Sequence, residues 1–295
     1  MLSFQISRPV VLMDICTISY IKDRKKIKGG QDQRKQERLR QLKVLVDRGY
    51  RFSFLLAILE KGTDRNHPLN CDQLLERFKR DYDLIVDFIG KNNIVESIQA
   101  LDQLIPIFMD ETYSKDERAE LSIPSSIKLL EFYNDMKISS TPSAKERFDL
   151  AVKITTEGKT LGLVKGYPPI SICVSAIYGC EDARKVLKIK KDGSKFNPSN
   201  CLGDIMSFYR VAEATYRIKE FLPDAKVIYR TEDEALENLH KYLITTVKSK
   251  IDNTSAMNII CTNPEKLFPT LFKNEKCINQ TELDSIYELL DFKVN

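Results

Sequence analysis

Four carboxylates, Asp14, Glu60, Asp204 and Asp233, stand where apolar runs end or helical patterns begin, although long stretches of chain separate them. Asp14 closes the β-branched run PVVLM, Glu60 closes the apolar stretch before Gly62, Asp204 falls in NCLGDI, and Asp233 follows VIYRTE. Carboxylates gathered in one crevice repel each other unless a divalent cation neutralises them, and hard oxygen ligands suit Mg²⁺ or Mn²⁺. A cation held there lowers the pKa of a bound water, so metal-assisted hydrolysis is the expected chemistry. Each residue also has a plainer reading. Asp14 and Asn200 suit helix caps, Glu60 suits a surface acid, and Asp204 suits a first-turn acid favoured by the helix dipole. Glu232 or Glu234 can take the place of Asp233 in the same acidic turn.

Other chemistries find little support. The two histidines, His67 and His240, are far apart, and the seven cysteines form no CxxC pair, which argues against a zinc site. Scattered cysteines in odd number suit a reducing compartment. Cys16 and Cys201 neighbour site residues but read as small buried hydrophobes, and no Ser or Cys motif suggests a covalent route. A nucleotide-binding regulator lacks its GxxxxGK[ST] or GxGxxG segment. The N-terminus lacks a signal-peptide pattern and no apolar run approaches the ~20 residues of a membrane span, so a soluble, cytoplasmic protein is expected, with no membrane partner.

Net charge is only +4, but 22–48 carries eleven basic residues against four acidic ones. Lys25, Lys26, Arg38 and Arg40 are the expected phosphate contacts in that segment, against the plain reading of a solvated helix face. Nucleic acid is the expected partner, and a protein partner or inhibitor is the other.

These residues need elements to position them. PVVLM reads as a buried first strand, 34–48 as a basic amphipathic helix stopping at Gly49, and 50–54 as a second strand followed by a strand-to-helix passage over 55–61, with Glu60 at or near a helix beginning. From Cys71 to about Lys165 the pattern is helical throughout. Two helical pieces follow around Gly179, then the loop KKDGSKFNPSN, a helix over 200–216 with Asp204 in its first turn, a strand at AKVIY, a helix at EALENLHKYL and a last strand at AMNIIC. Strands alternating with helices predict an α/β layered domain with a mostly parallel sheet.

In its order of acids the chain resembles the PIN-like nucleases, with PVVLMD, FSFLLAILEKG, NCLGDI and VIYRTEDEAL as the matching segments. The resemblance covers roughly 8–65 and 168–262. It implies a three-layer α/β/α core formed by 1–65 and 168–295, with 66–167 as a helical insertion. It also implies a metal-dependent endonuclease hydrolysing phosphodiester bonds, usually of RNA, in which Asp14, Glu60, Asp204 and Asp233 hold one or two metals and Thr231 and Asn200 support them. Toxin and phage-defence roles are the expected biological settings, and a non-catalytic RNA- or protein-binding module on the same fold is the alternative. Ile15 and Cys16 stand where such nucleases often have a small hydroxyl residue and Asn. Support for Asp14 is therefore expected from Thr17 or Ser19.

Overall fold

The computed structural model describes residues 8–62, 69–109, 122–138, 140–188, 196–251 and 254–293. The chain is α/β and mostly helical, and it divides into two compact units. The first comprises Met1–Thr112 with Glu213–Asp233, and the second Tyr113–Ala212 with Glu234–Asn295.

The first unit is built on a three-stranded parallel sheet of order β2-β1-β3, with β1 at Val10–Met13, β2 at Arg51–Ser53 and β3 at Val227–Arg230. All four side chains of β1 are buried, which a central parallel strand covered on both faces requires. Its register pairs Leu12 with Ser53 and Met13 with Arg230. Since the three strands are parallel, Asp14, Phe54 and Thr231 all emerge at one edge, the carboxyl end of the sheet.

Helices α1 (Ile15–Lys22), α2 (Arg24–Gly29) and α3 (Gln33–Asp47) link β1 to β2. Ile15, Ile18 and Ile21 recur at helical spacing, and the last two are buried, so α1 packs on the sheet even though the charged run KDRKKIKGG begins at its last residue. Helix α3 buries Leu39, Leu42 and Val46, the face expected from the sequence, and ends where Gly49 takes φ +74°. Helices α4 (Leu55–Gly62), α5 (Cys71–Ile89) and α6 (Ile98–Met109) follow. They close a core in which Phe54 stacks on Tyr82 with ring centroids 5.9 Å apart. Between α5 and α6, Ile94 bridges in parallel to Phe52 and Val95 donates to the Phe52 carbonyl at 2.9 Å. A short extended segment therefore lengthens the sheet beyond β2.

The second unit contains α7 (Ile123–Asp135), α8 (Ala144–Thr160), α9 (Pro168–Ile177) and α10 (Glu181–Leu187). It also takes most of α11 (Pro198–Phe221), whose last residues belong to the first unit. After α12 (Glu234–Tyr242) come β4 (Leu243–Ile251) and β5 (Thr254–Cys261), which pair antiparallel in a sheet of their own. The expected last strand at AMNIIC thus exists, but it lies outside the parallel sheet. A nine-residue strand only two residues upstream offers a local antiparallel partner that needs no crossover. Asp204 also shifts: α11 begins at Pro198, so Asp204 lies in its second turn rather than its first. Much of the expected loop at 190–200 lies outside the described residues.

Candidate functional site

Asp14 is 5% exposed and caps α1: its Oδ1 accepts from the Thr17 N–H at 2.7 Å. Glu60 lies in the last turn of α4 (Leu55–Gly62) rather than at a helix beginning, because the helix already starts right after β2, yet it reaches the same end of α1, and its Oε2 accepts from the Ile15 N–H at 3.1 Å. Two carboxylates therefore share the first turn of α1, where unpaired N–H groups and the dipole favour negative charge. From β3, the Thr231 hydroxyl donates to the Asp14 carboxylate and accepts from the Asp233 N–H at 3.1 Å. The Tyr229 hydroxyl lies 3.4 Å from Asp14 Oδ2. Asp14, Glu60, Thr231 and Asp233 thus hang from one edge of the first unit, drawn from three separate segments.

Burial pushes the Asp14 carboxyl up to about 6, with a small further push from Glu232, against the bonds from Thr231 and Thr17 that favour its charged form. Of the two hydroxyl residues expected to support it, Thr17 is in place. Its amide holds Asp14, and its hydroxyl donates to the Arg230 carbonyl at 2.9 Å, tying α1 to β3. Ser19 instead donates to the Ile15 carbonyl within its own helix.

The acidic turn after β3 is fixed from below. Glu232, whose side chain is 1% exposed, accepts from Arg38 Nε at 2.6 Å and from Arg230 Nε at 2.8 Å. Arg38 Nη2 also donates to the Thr231 carbonyl at 2.5 Å. Arg38, expected on the nucleic-acid path, is 12% exposed in its side chain and is engaged with this turn. Lys25, Lys26 and Arg40 are exposed, and Arg40 pairs with Glu37 at 2.5 Å.

Asp204 and Asn200 belong to the second unit. Lys188 Nζ sits 2.5 Å from Asp204 Oδ2, and Asn200 is exposed, with its N–H donating to Asn197 Oδ1 at 3.1 Å.

Sequence reasoning passed over one acid at the sheet edge. Glu96 is buried, accepts from the Phe54 N–H at 2.9 Å and bonds the Ser53 hydroxyl, and burial raises its carboxyl. The signal was present: NNIVE is a short apolar run closing in an acid, as PVVLMD is, but its apolar stretch is too brief to read as a strand.

All the side-chain donors at this edge are oxygens, which suits a hard cation rather than zinc. Among the described residues, no group of three or more His, Cys, Asp or Glu is placed to hold a metal ion. No family model, curated protein or solved structure matches the chain.

Proposed function

We propose that the chain is a divalent-metal-dependent nuclease of PIN-like three-layer architecture, acting on RNA in preference to DNA. The observation that carries this reading is the pairing of Asp14 and Glu60 on the first turn of α1, beside Thr231 and Asp233, at the carboxyl end of a parallel sheet. Asp14 and Glu60 would hold Mg²⁺ or Mn²⁺, and the cation would supply an activated water. The elevated Asp14 pKa is in keeping with a carboxylate that gains from a nearby cation. Thr17 and Thr231 orient Asp14, while the Arg38–Glu232–Arg230 cluster holds the Thr231–Asp233 turn beside it.

The test is cleavage of RNA and of single-stranded DNA with Mg²⁺, Mn²⁺ or EDTA, for the wild type and for Asp14→Asn, Glu60→Gln and Asp233→Asn. Expected are cleavage that requires metal, a preference for RNA, and loss of turnover in variants that still melt cooperatively. Cleavage in EDTA, or full activity in all three variants, overturns the proposal.

A second reading rests on the same geometry. Asp14 and Glu60 already satisfy backbone N–H groups of α1, the work of structural acids, and a non-catalytic RNA- or protein-binding module would need no more of them. Binding of RNA without cleavage under any metal condition selects this reading.

A further inference from the structure

Helices α2, α3 and α5 of the first unit enclose an open cleft of about 570 Å³, within the range that small-molecule sites occupy. Its floor is apolar: Leu39 and Phe88, both buried or nearly so, with Lys43 Nζ 5.9 Å from the Phe88 ring centre. Its rim is cationic, formed by Arg24, Lys28, Arg40 and Lys43, and Asp87 is the acid among the lining residues. An apolar floor beneath a basic rim matches a ligand with a flat hydrophobic body and a phosphate.

We infer that this cleft binds a nucleoside monophosphate unit, either free or as one residue of a single strand, with the base over Leu39 and the Phe88 edge and the phosphate on Arg40, Lys43 and Lys28. The rim cations can change partners at low cost. Arg40 pairs with Glu37 and Lys43 with Asp47 at 3.0 Å, but the two basic side chains are 70% and 51% exposed, and exposed pairs of this kind contribute little. A phosphate offers Arg40 a bidentate partner of full charge. Arg24 is different. It is 11% exposed, donates to the Ile21 carbonyl and to Asp87, and so shapes the wall rather than moving to a ligand. Gln36 locks the other wall by donating to the Gly30 carbonyl at 2.8 Å. The site does not depend on the acidic edge being catalytic.

The test measures anisotropy of fluorescein-labelled AMP and of a labelled ten-residue oligoadenylate on the full chain carrying Asp14→Asn, in EDTA, so that cleavage plays no part. Both probes should bind saturably, and binding of AMP alone would name the free nucleotide as the source. Arg40→Glu with Lys43→Glu should weaken AMP binding at least about tenfold, and Lys28→Glu, on a separate helix, should weaken it in the same direction. Lys226→Glu, an exposed cation of the same unit outside the cleft lining, should leave AMP binding within about twofold. Thermal melts confirm that these exposed variants fold. Unchanged affinity after the reversals overturns the inference. So does competition by inorganic phosphate as strong as that by AMP, which would mark an anion site without a base pocket. Stronger competition by polyglutamate than by AMP would also overturn it, in favour of an acidic protein partner.

Discussion

A carboxylate held at the end of a buried strand carries a cost that depends on pH, and Asp14 shows its sign. Burial raises its pKa to about 6, whereas the unfolded chain releases the same proton near 4. Between those values the folded state binds a proton that the unfolded state has lost, so this group favours folding below about pH 4 and progressively less as pH rises through 6. The full difference is on the order of 3 kcal/mol. Asp14→Asn should keep the cap, since Asn caps as well as Asp, and should remove this dependence. Urea unfolding at pH 4.5 and 7.5 should show the variant gaining on the wild type at the higher pH; an equal offset at both pH values would contradict the burial argument. Added Mg²⁺ should raise the melting temperature of the wild type but not of this variant if Asp14 is a ligand. His240 has the opposite sign. Burial pushes its pKa down to about 3, its ring stacks on Phe208 with centroids 3.9 Å apart, and Nε2 lies 2.7 Å from the Ser207 hydroxyl. Its contribution is present above about pH 6.5 and is lost as pH falls. His240→Gln should therefore flatten the acid limb of the stability profile between pH 6.5 and 4, and a limb of unchanged steepness would show that the proton uptake lies elsewhere.

Between elements, the coupling of α3 to the end of β3 rests on a buried charge cluster, Arg38–Glu232–Arg230, rather than on apolar packing alone. Removing one partner of such a cluster leaves a buried charge short of ligands, which costs about 3–5 kcal/mol when no other partner remains. Arg230 stays with Glu232 after Arg38→Ala, so a loss of about 2–3 kcal/mol by urea denaturation is expected, and Arg38→Lys should recover little because Lys cannot fork to Glu232 and the Thr231 carbonyl together. A loss below about 0.5 kcal/mol would mean the cluster is dispensable. In the second unit, Gly166 has φ +71° and a Cβ there would meet the Leu290 carbonyl oxygen at 2.0 Å, so Gly166→Ala should be strongly destabilising. The strands at 10–13, 51–53 and 227–230 were legible because each is a short apolar or aromatic run closing at a turn or an acid, and the emergence of Asp14 and of the Thr231–Asp233 turn at one edge follows from strands that run parallel. The inward turn of Arg38 was not legible: its partners lie more than 190 positions away, and a basic run on a helix does not say which cations face the core. The pairing of β4 with β5 was missed because nothing in AMNIIC itself distinguishes an antiparallel hairpin strand from a further parallel one.

At the scale of the whole molecule, a net charge of +4 decides little, and the distribution of charge decides more. An acidic edge repels a polyanion, so a strand needs cations that lead toward it. The basic segment 22–48 is one such source, but the fold spends part of its excess internally: Lys22 pairs with Asp81 at 2.8 Å, Arg24 with Asp87 at 2.5 Å, and Arg38 with Glu232. Among the described residues no helix is long and apolar enough to cross a membrane. Exposure leaves Lys25, Lys26 and Arg40 as the members of the expected set that can meet phosphates. On a single strand each contact steepens the plot of log affinity against log salt by about 0.7. Replacing these three with Ala should therefore flatten that slope by up to roughly 2.1, measured with oligonucleotide across a salt series on the Asp14→Asn background. Adding Arg38→Ala should destabilise the chain without flattening the slope further, because Arg38 is already committed to Glu232 and Thr231. A slope that the triple variant leaves unchanged would make the segment a solvated face and move the path of the strand elsewhere. A further flattening of about 0.7 on loss of Arg38 would mean that it leaves its buried partners when nucleic acid arrives.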